Sequence, residues 1–169
     1  NAGLGTAALS LYTEDPGLVD IVAESVNRIN RQFDQVGVDG GWQEGCGYYR
    51  KSIHAVNFFT DPLKRLTGGA IDIYSHPRIS ENPVSFLLYN MVTPGRLIPL
   101  EDSAYNRAGT SHIWNKLAAE TDSPETAWFR NYMWGAGRDI FDIIWPRPAV
   151  EARLPNETSR WFRTIEDRK

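Results

Sequence analysis

Apolar residues recur at three- and four-residue steps in the first quarter of the chain. They are Leu18, Val22, Val26, Ile29, Phe33 and Val36, and polar residues occupy the positions between them. Because an α-helix has 3.6 residues per turn, this spacing places one continuous apolar face against a core. The pattern predicts a long amphipathic helix and favours an all-α fold, since strand signals are nearly absent elsewhere.

Helix-start signals punctuate the rest of the sequence. Asp15-Pro16, Asp61-Pro62 and Ser123-Pro124 each pair a capping residue with a proline that suits a first helical turn. We expect Asp15 to accept a hydrogen bond from a free amide, and Asp61-Pro62 to mark a kink or restart in a helix over 48–66. Further helices are predicted for residues 2–12, 83–91, 111–119, 123–132 and 138–145. The expected arrangement is a series of antiparallel helix hairpins.

Composition excludes several classes of protein. The 169 residues are 41% hydrophobic, enough for one substantial core, and carry a formal net charge of −3 without a block of like charge. Neither nucleic acid nor a membrane is an expected partner. The one cysteine, Cys46, excludes an internal disulfide.

The last quarter of the chain differs in character. Pro146, Pro148 and Pro155 predict a rigid linker, so we expect a domain over residues 1–145 and a linker over 146–169. The chain opens inside a predicted helix and closes on Trp161, Phe162 and nearby apolar residues. We therefore expect both ends to be cut from a longer protein.

The densest unusual segment is Asp39-Gly-Gly-Trp-Gln-Glu-Gly-Cys-Gly-Tyr-Tyr49, with four glycines, three aromatic residues and two carboxylates. Loops of this kind often carry function. The competing interpretation is a glycine-rich turn whose Trp42 and tyrosines fill the core. Composition alone leaves both open.

This segment and the motifs after it resemble the heparinase II/III family and its alginate-lyase relatives. The later motifs are Leu66-Thr-Gly68, Asp72-Ile-Tyr-Ser-His-Pro77, Thr93-Pro-Gly-Arg96 and Glu101-Asp-Ser103. They occur in the family's order, and the similarity covers most of the chain.

The resemblance implies an incomplete α/α toroid followed by a β-sandwich domain, with a polysaccharide cleft between them. The expected partners are an acidic polysaccharide and that C-terminal β-sandwich. A periplasmic or secreted location and the lack of a cofactor are implied as well. Such enzymes cleave the glycosidic bond beside a uronic acid by β-elimination.

Elimination requires a neutralised carboxylate, a base for the C5 proton and an acid for the departing oxygen. The resemblance places the catalytic tyrosine shortly after the glycine-rich turn, at Tyr48 in preference to Tyr49. Adjacent helical residues project about 100° apart, so only one of them can face the cleft. A tyrosine with an ordinary pKa of ~10 needs a nearby cation to act as a base at neutral pH.

Four residues are candidates for substrate binding. Trp42 offers a face on which a sugar could stack, and Glu44 could orient the tyrosine or meet a sugar hydroxyl. Arg50 is adjacent in sequence to the tyrosines, although its helical position points elsewhere. Asn1 is near the region where the family places its carboxylate-neutralising Asn and His.

Those family residues precede the Ala-Gly-Leu-Gly helix, and another catalytic histidine comes from the β domain. The chain by itself is therefore expected to be inactive.

Two other functions remain open. An α/α-barrel glycoside hydrolase would use two carboxylates, for which Asp39, Glu44 and Asp102 are the candidates in loops. A non-catalytic helical-repeat domain would bind a protein through a concave face. No metal site is expected, because no histidine pair has the spacing of neighbouring helical ligands, and Cys46 is expected to be incidental.

Overall fold

The chain is mostly helical. The computed structural model describes residues 1–38, 40–81, 83–93, 96–101, 111–134, 140–146 and 148–153. The α-helices within these ranges are α1 (Ala2–Leu11), α2 (Val19–Asp34), α3 (Gly45–Leu66), α4 (Pro77–Ser80), α5 (Ser85–Tyr89), α6 (Ser111–Thr121) and α7 (Pro124–Trp134). The helical prediction is confirmed at this level. Across these same ranges, no helix combines the length and the apolar character that crossing a membrane requires.

A two-stranded antiparallel sheet interrupts the helices. Strand β1 (Met91–Thr93) pairs with β2 (Arg96–Leu97), and Met91 lies opposite Leu97. The helix predicted for 83–91 is therefore shorter than expected, because it ends at Tyr89 and Met91 enters a strand.

The start of the long amphipathic helix agrees with its sequence signal. The Asp15 carboxylate accepts a hydrogen bond from the Gly17 amide at 3.0 Å, and Pro16 occupies the first turn. A 3-10 turn, Pro16–Leu18, comes first, and α2 follows it. The predicted capping role of Asp15 is confirmed.

Helices α1, α2 and α3 enclose one part of the core, and α6 packs on both α3 and α7. The buried face of α2 includes Val22, Ile29 and Phe33. Gly5 of α1 makes the closest approach, since a Cβ built there would lie 2.6 Å from Phe59 Cε2 and 2.8 Å from Ser25 Cβ. Only a glycine therefore allows α1 to sit this close to α2 and α3.

Helix α3 runs without interruption through Pro62, so the predicted restart at Asp61-Pro62 is wrong. Asp61 does not cap a new helix. It is buried, and its carboxylate is held by side chains from elsewhere in the fold. The helix ends at Leu66, and two glycines with positive φ, Gly68 and Gly69, follow it; the Gly69 amide donates to the Lys64 carbonyl at 2.8 Å.

The Asp61 carboxylate is the centre of a buried network of charges. It accepts hydrogen bonds from the Lys116 ammonium of α6 at 2.5 Å and from the Trp145 indole at 3.1 Å, while Arg65 pairs with it from the surface. Glu120 accepts from both Lys116 and Lys64, and Lys64 also pairs with Asp72 at 2.7 Å. We call these groups, centred on Asp61, the Asp61 network. It ties α3 to α6 and to the segment that contains Trp145.

The segment after α7 is only partly described. The helix predicted for 138–145 is, in its described part, a 3-10 turn over Ile140–Ile143. Beyond it, the Arg153 amide donates to the Pro124 carbonyl at 3.0 Å. The domain boundary near Trp145 stays a prediction, and residues 154–169 lie outside the described ranges.

Replacing Gly5 with alanine is expected to lower the free energy of unfolding by about 1–3 kcal/mol, because the new methyl group meets Phe59 and Ser25. Gly3 lies in the same helix with open space around it, so Gly3→Ala is the matched control and should raise stability by about 0.5–1 kcal/mol. Denaturant unfolding measures both. Equal effects of the two variants would contradict the close approach at Gly5.

Burial would raise the pKa of Asp61, but hydrogen bonds from Lys116, Trp145 and Arg65 outweigh it and hold this pKa below its ordinary value. Because the folded-state pKa is depressed, the stabilisation is complete above pH ~4 and is lost as the pH falls through the folded value. Asp61→Asn should therefore cost about 1.5–3 kcal/mol at neutral pH, because Lys116 keeps Glu120 as a partner, and the difference from wild type should shrink in acid.

Urea unfolding at several pH values tests this expectation. Asp34→Asn is the control, since Asp34 is exposed and pairs with His76 at the surface, where a loss of no more than about 1 kcal/mol is expected. A difference between wild type and Asp61→Asn that does not change with pH would refute the role assigned to the Asp61 carboxylate.

Candidate functional site

The loop before α3 and the first turns of that helix hold most of the predicted site residues. Trp42 is buried, and its ring centroid lies 6.1 Å from that of Phe33 and 5.7 Å from that of Tyr49. Tyr49 also packs edge-on against Phe86. These aromatic contacts fix the loop onto the core.

Tyr49 belongs to that core. It is 3% exposed, its hydroxyl donates a hydrogen bond to the Pro83 carbonyl at 2.6 Å, and burial raises its pKa far above the ordinary range. A phenol that is buried, bonded to a carbonyl and difficult to ionise is poorly placed to exchange protons with a substrate.

Tyr48, in contrast to Tyr49, lies at the surface. Its side chain is 37% exposed, and the Lys51 ammonium lies 4.7 Å from the centroid of its ring. The 100° step between neighbouring helical residues separates the two tyrosines, as the sequence requires. Of the two, Tyr48 alone is open to a ligand from outside.

A polar hollow lies next to this part of α3. Its volume is about 270 Å³, and the residues that line it include Trp42 and the polar side chains of Gln32, Gln35, Gln43 and Glu44. Small-molecule pockets usually reach about 300–1,000 Å³, so the hollow suits a small polar group rather than a whole ligand. The indole nitrogen of Trp42 is buried without a hydrogen-bond partner.

Glu44 lines the hollow and comes four residues before the exposed Tyr48 in the sequence. It is exposed at the residue before α3, and its side chain makes no capping bond. Within α3, Lys51 follows Tyr48 by three residues, which places the two side chains next to each other on the helix. We call these three residues the Glu44–Lys51 strip.

Two predicted binding residues lie apart from this strip. Arg50 is half-buried, and the step of 200° from Tyr48 turns it towards His54, whose protonation it influences. Asn1 is exposed at the start of α1, where its side chain forms no cap. Their roles in substrate binding stay predictions.

The remaining candidates are the one cysteine, His76 and two loop carboxylates. Burial raises the pKa of the Cys46 thiol to about 11, which disfavours the thiolate that a nucleophile needs. His76 caps α4 by accepting from the Arg78 amide. Asp39 and Asp102, two carboxylates of the hydrolase alternative, lie outside the described residues.

His54 of α3 and His112 of α6 meet, with their Nε2 atoms 3.4 Å apart. Phe58, Phe141 and Trp145 surround them with aromatic rings. In the part of the chain that the structure describes, no group of three or more His, Cys, Asp or Glu side chains could hold a metal ion.

Sequence reasoning missed Lys51 and the three glutamines of the hollow. Lys51 could have been found, since it is three residues after Tyr48 and so adjacent on a helix. The glutamines could not, because they come from two segments whose contact depends on the packing of α2 beside the loop.

Neither a family model, nor a curated protein, nor a solved structure matches this chain.

Tyr49→Phe is expected to lower the free energy of unfolding by about 1–2 kcal/mol, because it removes the buried hydrogen bond to the Pro83 carbonyl. Tyr48→Phe is the matched variant one residue away, and it should change stability by no more than about 0.5 kcal/mol. Thermal or denaturant unfolding distinguishes them. A larger loss for Tyr48→Phe than for Tyr49→Phe would contradict this assignment of core and surface.

Proposed function

We propose that this chain is the helical part of a polysaccharide lyase that cleaves uronic-acid-containing polysaccharide by β-elimination. In this proposal its helical hairpins form part of an α/α toroid, a β-sandwich domain of the full-length protein closes the cleft, and the chain alone is inactive. The protein acts in the periplasm or outside the cell, where such polysaccharides occur.

The single observation that carries the function is the Glu44–Lys51 strip beside the polar hollow. Tyr48 offers an exposed phenol, and Lys51 holds a positive charge against its ring. A uronate substrate is an anion whose charge must be offset as its C5 proton leaves. On one accessible face, Tyr48 thus offers a group that can take up the C5 proton, and Lys51 offers a positive charge for the carboxylate.

Each residue of the strip has a distinct task. Tyr48 exchanges protons with the C5 carbon and the departing oxygen, as general base and then general acid. Lys51 attracts the uronate carboxylate, and Glu44 accepts a hydrogen bond from a sugar hydroxyl in the adjoining hollow. The residues that complete neutralisation of the carboxylate come from outside this chain, as the resemblance implies.

In this proposal Trp42 has a limited role in sugar binding, and Arg50 has no role in proton transfer. Trp42 packs against Phe33 and Tyr49, so its contact with a sugar is confined to the portion that lines the hollow. Arg50 faces away from Tyr48 and is not required for proton transfer. Tyr49 supports the loop from within the core.

The full-length protein, given acidic polysaccharides, should release products with the ultraviolet absorbance of an unsaturated uronate. Tyr48→Phe should reduce that rate by about 10²-fold or more, since it removes the acid–base group. Tyr89→Phe is the matched control, because Tyr89 has the same 37% exposure on α5, and its activity should equal that of wild type.

Reducing ends without unsaturated product would indicate a hydrolase, and neither product with any uronate would indicate a binding domain. Both results would overturn the lyase function. Undiminished turnover by Tyr48→Phe, with lyase activity present in wild type, would overturn only the choice of Tyr48.

A further inference from the structure

The contact between His54 and His112 is a feature that the proposed function does not use. The two residues are 58 positions apart in sequence, on α3 and α6, and their Nε2 atoms face each other at 3.4 Å. Their ring centroids are 5.3 Å apart, with 55° between the ring planes. The separation of 3.4 Å is longer than the about 2.7–3.2 Å of an ordinary N–H···O hydrogen bond.

The distances match those of two imidazoles on a single ion. Two nitrogens that each lie about 2.0–2.1 Å from a tetrahedral zinc ion are separated by about 3.4 Å. When both rings point at that ion, their centroids are about 5.2 Å apart by the same geometry. Both values agree with the observed 3.4 and 5.3 Å.

We propose that His54 and His112 form a two-histidine site for a divalent transition-metal ion, which clips α3 to α6. Two positions of a tetrahedral ion then remain for water or a small anionic ligand. Imidazole ligands favour Zn²⁺, Cu²⁺ or Ni²⁺, whereas Ca²⁺ and Mg²⁺ prefer oxygen.

The surroundings of the pair suit a metal ligand. His54 is half-buried, which leaves a way in for an ion, and His112 is 3% exposed. Phe58, Phe141 and Trp145 restrict the rotation of the two rings by packing against them.

The charges near the pair are mixed. Arg50, one helical turn before His54, opposes a cation. The negative charge of Asp142 opposes the positive charge of Arg50. Its carboxylate lies near His112, because it accepts hydrogen bonds from Asn115 at 2.7 Å and Ser111 at 3.5 Å on the same helix, α6.

Titration calorimetry of the chain without a polyhistidine tag, using Zn²⁺ alone, tests the site. One ion per chain should bind to wild type, and His54→Ala should weaken this binding at least about tenfold. Co²⁺ bound to wild type should give the visible absorption of a tetrahedral complex, and that absorption should be lost in His54→Ala.

His76→Ala is the matched control, since His76 lies elsewhere, beside Asp34, and its removal should leave Zn²⁺ affinity unchanged. His54 is the residue to replace because it is less buried than His112, and circular dichroism establishes that its variant folds. Absence of Zn²⁺ binding to wild type would overturn the site. Equal binding by wild type and His54→Ala would also overturn it, by showing an adventitious ion only. Neither result bears on the lyase assay.

Discussion

A carboxylate can be buried only where cations or hydrogen-bond donors pair with its charge. The packing of α3 on α6 depends on the groups that pair with Asp61. Lys116 reaches it from α6, and Trp145 reaches it from beyond α7. Lys64 extends the Asp61 network to Glu120 and Asp72. Sliding or rotating α3 would leave at least one of these charges unpaired in the interior. The network therefore fixes both the position of α3 along α6 and its rotation about its own axis.

That rotation decides what each side of α3 can do. One side, with Tyr49, Ile53 and Val56, fills the core, and Gly5 lets α1 lie directly against α3 at Phe59. A second side carries Tyr48 and Lys51 outwards beside the polar hollow. Aromatic packing and the charge network hold the core side in place, so the position of the exposed strip is set by the helix that carries Tyr48 and Lys51.

The sequence predicted features that depend on neighbours in the chain. The amphipathic face of α2 and the Asp15 cap follow from residues a few positions apart, and both are present in the fold. Asp61-Pro62 carries the same local signature as Asp15-Pro16 but has a different role. Its acidic residue is bound by partners 55 and 84 positions away, and Pro62 forgoes one helical hydrogen bond inside a continuous helix. Local pattern cannot distinguish a cap from a buried ion.

The same limit applies to the candidate sites. Helical geometry shows from sequence that Tyr48 and Tyr49 cannot share an environment, but only the contacts of Trp42 and Phe86 determine which of the two is buried. His54 and His112 carry no recognisable spacing, because their meeting depends on the packing of α6 against α3. Six residues at 100° each place His54 about 120° around the helix from Tyr48. His54 also follows Lys51 by three residues, which places it about 60° from that lysine. An ion held by the two histidines would therefore join α3 to α6 on a side of the helix that adjoins the accessible strip, and would support the position of Tyr48 through the helix that carries it.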